Sequence, residues 1–215
     1  MPPTKPVFDR LPDAKRRTVL DEAAAEFARV GFAAAKVDDI AARAGISVGS
    51  LYQYFGTKEN CFLAVLDHGI AELQSQLGEV LASKTEPWDR IEAIVRLIPG
   101  HSRRHPEVVK LYYEIGAEGL SDLGRDFCER FEGLSALVYS QLLEEARKTG
   151  AVRSDVDPRF AAYFLDNLFV TLQFAYAGGY HRLRKTVYLG PGRDDDDEAL
   201  VEGVMQFLRF GLAGK

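Results

Sequence analysis

Apolar residues return every three or four positions along nearly the whole chain, the period of a helix buried on one face. Between Pro12 and Val30 they are Val19, Leu20, Ala23, Ala24, Phe27 and Val30. Pro12 suits the first turn, where its missing N–H has no helical partner, and Gly31 suits the stop. Val37, Ile40, Ala41 and Ala44 predict a short second helix that ends at Gly45. Ser47 is placed to cap a third, which "FGT" interrupts after Phe55; Thr57 can cap a fourth, long one through Phe62, Leu66, Ile70, Leu73, Leu77 and Leu81. Trp88, Ile91, Ile94, Val95 and Ile98 form one face up to Pro99-Gly100. Further helical segments start near Pro106, run from Phe127 to Gly150, start at Asp157-Pro158, and close the chain through Leu200, Val204, Phe207 and Leu208. No strand pair and no repeat is visible. The reading is all-α, with about nine helices.

Composition changes this picture little. Of 215 residues 47% are hydrophobic and 27% charged, an ordinary globular mixture. The two cysteines, Cys61 and Cys128, stand alone, without disulfide or zinc spacing. The four histidines show no zinc pattern, and "GRDDDDE" (residues 192–198) reads as favourable charge at a helix start. No metal or cofactor is therefore expected. No nucleophile elbow, phosphate loop or paired catalytic carboxylates stand out, so an enzyme is not expected. No apolar run approaches the ~20 residues of a membrane span, and the start lacks a signal-peptide stretch, which predicts a cytoplasmic protein.

Charge is more informative in its distribution. The formal net charge is -5, yet residues 1–60 carry +1 and the remainder -6. A mildly basic head on an acidic body suits contact with a polyanion at one end.

That head contains helix, glycine turn, short helix: "VDDIAARAGISVGSLYQYF". This is a helix-turn-helix pattern. Ile40, Ala44, Leu51 and Phe55 can close a small core with Phe27 and Val30, leaving Val48, Gly49, Ser50, Tyr52, Gln53 and Tyr54 partly outward. Early residues of a recognition helix meet base edges in the major groove. Gly49 and Ser50 are small enough for close approach, and Val48 can pack on a thymine methyl. Tyrosine hydroxyls can donate to phosphates, and Lys58 can add a charged phosphate contact at a helix start. Tyrosines also half-bury at domain joints, and spacing alone leaves both roles open.

Residues 12–66 resemble the N-terminal domain of the tetracycline-repressor (TetR) family. The resemblance rests on "AAAEFARVGF" and "VDDIAARAGISVGSLYQYFGTKENCFLAVL", with Ile40-Ala41, Ala44-Gly45, Ser47, Gly49, Leu51-Tyr52, Tyr54-Phe55, Lys58 and Leu63 at the family's spacing. It implies a helix-turn-helix DNA-binding domain over residues 1–57 and a helical effector-binding and dimerisation domain over 58–215. It implies a homodimer on a palindromic operator, usually a repressor, released when a small molecule enters the C-terminal domain. Val48, Gly49, Ser50 and Gln53 become candidates for base contact, and Ser47, Tyr52, Tyr54 and Lys58 for phosphate contact. One departure is Lys36, where the family often has a capping Ser or Thr. A lysine can reach a phosphate but cannot cap, and Asp38 is the alternative cap. A helical adaptor that binds only protein is the competing reading.

In the C-terminal part, "FAAYFLDNLFVTLQFAYAGG" is apolar around most of its circumference and needs burial on several sides. The family pairs its last two helices, here roughly 158–178 and 196–212, into a four-helix dimer interface. Tyr112, Phe131, Tyr139, Phe164, Phe169, Phe174 and Tyr176 are candidates to line an apolar effector pocket, for a hydrophobic or acyl-type small molecule. The same residues also serve as core.

Overall fold

The computed structural model describes residues 3–118, 121–193 and 195–214. Among them are twelve α-helices, three more than the periodicity predicts: α1 (Pro6–Asp9), α2 (Asp13–Ala34), α3 (Val37–Arg43), α4 (Val48–Phe55), α5 (Lys58–Ala82), α6 (Pro87–Arg104), α7 (Pro106–Glu118), α8 (Ser121–Phe127), α9 (Gly133–Lys148), α10 (Pro158–Ala177), α11 (Gly179–Leu189) and α12 (Asp197–Leu212). A π-helical turn, Cys128–Glu132, links α8 to α9. The fold class is all-α; the described residues hold one isolated bridge, Val152 to Ala213.

The three extra helices have separate causes. Four-residue α1 is too short to carry a period; Pro6 starts it and Phe8 is its buried residue. α8 precedes the segment read from Phe127 to Gly150 and meets it at Phe127, and its seven residues span too few turns to show a period of their own. α11 buries no residue at all, so it has no apolar face directed at its own core to reveal it. Pro99 also corrects an expected stop. α6 continues through it to Arg104, because Ile94, Ile98 and His101 are buried on one side. That packing outweighs the hydrogen bond a proline removes.

Packing divides the chain into two units. The first comprises residues 1–72 and 107–124, the second 73–106 and 125–215. By packing, then, the first fifteen residues of α5 and most of α7 belong with the helix-turn-helix, in contrast to a boundary at 57/58.

The first unit is built on phenylalanines. Phe27 lies edge-on to Phe62 at 5.1 Å, and Phe32 meets Phe62 at 5.1 Å. Ile40, Leu51 and Phe55 are fully buried, fixing α3 and α4 on this core. Burial of each such side chain contributes about 1.5–3 kcal/mol. α7 reaches α5 through a glycine: a Cβ on Gly69 would come within 2.1 Å of Val108 Cγ2.

The core of the second unit runs from Ile91, Ile94, Val95 and Ile98 on α6, through Tyr139, Leu142 and Leu143 on α9 and Leu165 and Phe169 on α10, to Val201 and Leu208 on α12. Asp157 accepts from Arg159 N–H at 2.8 Å and starts α10, as Asp157-Pro158 predicts. Trp88 Nε1 donates to the Ala151 carbonyl at 3.1 Å.

Candidate nucleic-acid interface

α4 begins where Ser47 stops the turn. Its Oγ accepts from Ser50 N–H at 3.0 Å and lies 2.8 Å from Ser50 Oγ. This satisfies one of the unpaired donors of the first turn. Leu51 and Phe55 face inward. Gly49 and Gln53 are exposed, Val48 and Ser50 half-exposed. Tyr52 is 46% exposed and directs its ring outward. Together they form one outward face with small residues at its N-terminal end, the end that enters a groove first.

Two members of the predicted contact set are corrected. Tyr54 is buried, with its ring 5.5 Å from Phe8 and 6.3 Å from Phe55. Positions 52 and 54 are two residues apart on a helix, so they cannot share a face. Lys58, half-exposed, is turned to the backbone. Its ammonium donates to the carbonyls of Phe32, Ala33 and Ala35 at 2.9, 3.3 and 3.2 Å, and it sits 4.6 Å from the Phe32 ring centroid. The charge neutralises the carbonyl end of α2, where a helix favours a cation. Three carbonyls therefore compete with a phosphate for the three ammonium hydrogens.

Lys36 is exposed and stands at the N-cap of α3 in extended conformation, with no side-chain cap. Asp38 is not the cap either; it lies inside the first turn with Asp39. Lys36 is thus a solvent-facing cation at the helix-turn-helix, whereas Lys58 is half-exposed and bound to backbone carbonyls.

Two contributors escaped the sequence reading. Lys5 N–H donates to Tyr54 O at 2.8 Å and Lys5 Nζ to Tyr52 O at 3.4 Å, so the chain start binds the C-terminal end of α4. The lone Phe8 in a polar stretch was the available signal. Glu26, buried, forms a bidentate pair with Arg29 at 2.7 and 3.0 Å. This hydrogen bonding raises the Arg29 pKa above its ordinary value.

The predicted effector-pocket residues are not brought together as one set. Tyr112 lies half-buried on α7, in the first unit. Tyr139 and Phe169 meet edge-on at 5.6 Å inside the second unit's core. Phe131 pairs with Phe127 at 4.6 Å on the π turn. Phe174 is half-buried, 5.5 Å from His181. Tyr176 is held in a polar network: its hydroxyl donates to Asp197 Oδ1 at 2.8 Å, and Lys185 and Arg103 lie over its ring at 4.1 and 4.8 Å. Arg103 donates to Asp197 at 2.8 Å as well, which holds that carboxylate below its usual pKa. Phe164 is a correction: it is 64% exposed and lines no interior. Phe160, Tyr163, Phe207 and Phe210 are exposed with it.

The "DDDDE" run is used for structure where it is described. Asp196 Oδ1 accepts from Ala199 N–H at 3.0 Å, capping α12, and Glu198 pairs with Arg96 at 2.7 Å. Asp194 lies outside the described residues.

Comparison with known proteins decides what this outward helix belongs to. The pattern of bacterial regulatory proteins of the tetR family matches residues 19–65. The HTH-type transcriptional repressor KstR2 of Rhodococcus jostii is 34% identical over 184 residues, covering 81% of this chain and 86% of that protein. The chain belongs to the TetR family. The HTH-type transcriptional activator FasR of Mycolicibacterium smegmatis is 31% identical over 220 residues, covering 95% and 86%. The structure of the ketosteroid transcriptional regulator KstR2 of Mycobacterium tuberculosis superposes with a TM-score of 0.69 at 22% identity, covering 95% and 98%. As a TetR-family protein the chain is a DNA-binding transcriptional regulator and not an enzyme. This disposes of the protein-only adaptor. Among the described residues no helix is long and apolar enough to cross a membrane.

Proposed function

We propose that this TetR-family protein binds a palindromic operator as a homodimer, acts as a repressor, and is released by a hydrophobic or acyl-type small molecule. The observation that carries the DNA part is the outward face of α4. Val48, Gly49, Ser50 and Gln53 read bases, while Ser47, Tyr52 and the exposed Lys36 hold phosphates. Two such helices must sit about 34 Å apart, or a multiple of it, to fit successive major grooves.

The dimer uses α10 and α12. Phe160, Tyr163, Phe164, Phe207 and Phe210 are large apolar side chains exposed in the single chain. Grouped exposed aromatics of this kind mark a protein interface. The residues after 57 carry dimerisation and effector binding, and those before it carry DNA contact. Repression, rather than activation, follows the repressor name of the R. jostii relative; the FasR relative is named an activator. An apolar effector is supported by the ketosteroid regulator among the structural neighbours.

Selection of duplexes from a randomised library at two salt concentrations tests this reading. A palindrome with salt-sensitive affinity is expected. Absence of any enriched sequence at low salt would overturn it. Long-chain acyl-CoA thioesters and steroid acids, added to the selected complex, test the effector class through release of DNA.

A further inference from the structure

We infer that Glu114 on α7 is the positioning residue that sets the pose of the helix-turn-helix. The inference rests on the operator-binding reading above and concerns a residue to which that reading gives no part.

The starting point is a break in α2. Gly31 adopts φ 79° and ψ 160°, a conformation closed to other residues without strain. The break points Phe32 N–H away from the helix, and Glu114 Oε1 accepts it at 2.6 Å. The fit is close: a Cβ on residue 31 would lie 2.9 Å from that oxygen. Beyond the break, the carbonyls of Phe32, Ala33 and Ala35 all accept from Lys58. The last turn of α2 is therefore held from both ends by opposite charges. Glu114 takes its N–H side and Lys58, the first residue of α5, takes its C=O side. One residue after Ala35 comes Lys36, the N-cap of α3. The direction in which the chain enters the helix-turn-helix is thus fixed by these two side chains.

Lys58 belongs to a helix that follows α4 almost directly. Glu114 does not: it is 82 residues from Phe32 in sequence. α7 is held in the first unit by Val108 against Gly69, and Lys110 Nζ reaches the Ala28 carbonyl at 3.5 Å. In the sequence, α7 lies between two stretches of the second unit, residues 73–106 and 125–215. Glu114 is the point where α7 meets the backbone leading into α3. A charged acceptor on a backbone N–H makes a strong, directional contact, suited to holding one orientation.

The test uses the full-length protein and duplexes recovered by the wild type from a randomised library, rebuilt with half-site separations one base pair longer and shorter. Glu114→Ala should speed hydrogen exchange at the Phe32 amide and shift the amide resonances of Val48–Gln53 in the free protein. It should lower affinity for the best duplex about tenfold and change which separation is preferred. Glu114→Gln keeps an oxygen acceptor and should restore the amide positions and the separation preference. A merely structural role gives a different result: Glu114→Ala would lower Tm and weaken every separation by the same factor, with the α4 amides unmoved. That result would overturn the inference. If the wild type selects no duplex, the operator reading fails, and the α4 amides still decide whether Glu114 sets the pose.

Discussion

The outer face of α4 and the outer faces of α10 and α12 are both exposed, yet they differ in kind. α4 shows small and polar groups, Gly49, Ser50 and Gln53, with one tyrosine, Tyr52, at its side. α10 and α12 show large rings, Phe160, Tyr163, Phe164, Phe207 and Phe210, the last 93% exposed. Polar groups with donors and acceptors lose little in water and gain from a hydrogen-bonding partner. Bare aromatic rings gain from exclusion of water, at about 25 cal/mol per Å² buried. In the proposed reading the first surface meets the edges and phosphates of DNA, and the second a second copy of the chain.

The sharpest way to break this contrast is to charge the aromatic face. Phe164→Asp combined with Phe207→Asp should yield a monomer by analytical ultracentrifugation. Operator affinity should fall roughly 100-fold or more, because two linked recognition helices become two independent ones. A variant that stays dimeric would show that these rings face solvent or some other partner.

Lys58→Ala tests a half-exposed cation that the fold engages with backbone carbonyls. We expect a loss of about 1–3 kcal/mol in urea unfolding, since three carbonyls lose a charged donor. The dependence of operator affinity on salt should keep its slope. A slope reduced by about one would mean that Lys58 meets a phosphate after all.

Tyr52→Phe sharpens the DNA side. Loss of one phosphate donor should weaken all operator sequences alike, by about fivefold, or about 1 kcal/mol. Tyr54→Phe should leave binding nearly unchanged, because that ring lies against Phe8. An altered base preference in Tyr52→Phe would assign it to base readout instead.

The last test concerns Asp166, half-buried on α10. Burial, with Glu132 nearby, pushes its carboxyl up to about 6 from an ordinary 3.8. Between those two values the native state binds more protons than the unfolded chain. Stability contributed by this group therefore falls as pH rises from about 4 to about 6, and stays at the lower level above. Asp166→Asn should remove that slope and raise stability at pH 7 by on the order of 1 kcal/mol. Urea unfolding at pH 4.5 and 7 measures it.

Much of the DNA-binding head was legible. The Ser47 cap, the inward Leu51 and Phe55, and the outward Gly49 and Gln53 follow from helical period and cap chemistry, both local. The separation of Tyr52 from Tyr54 was legible too, had the two-residue offset been followed around the helix. The fate of Lys58 was not. Its carbonyl partners lie more than twenty residues away and are gathered by a break at Gly31. Phe164 and Phe169 show the same limit on α10: a helix apolar on all sides does not say which side meets its own core and which meets a partner.

By itself, then, the sequence determined an all-helical chain with a helix-turn-helix in its first sixty residues, because period, caps and glycine stops act within a few residues of each other. The tertiary structure alone decided that Lys58 closes α2, that Glu114 holds Phe32 N–H, that α6 passes through Pro99 and that Phe164 faces outward. Each depends on groups brought close by packing, and the free energy of those contacts exists only once the distant segments have met.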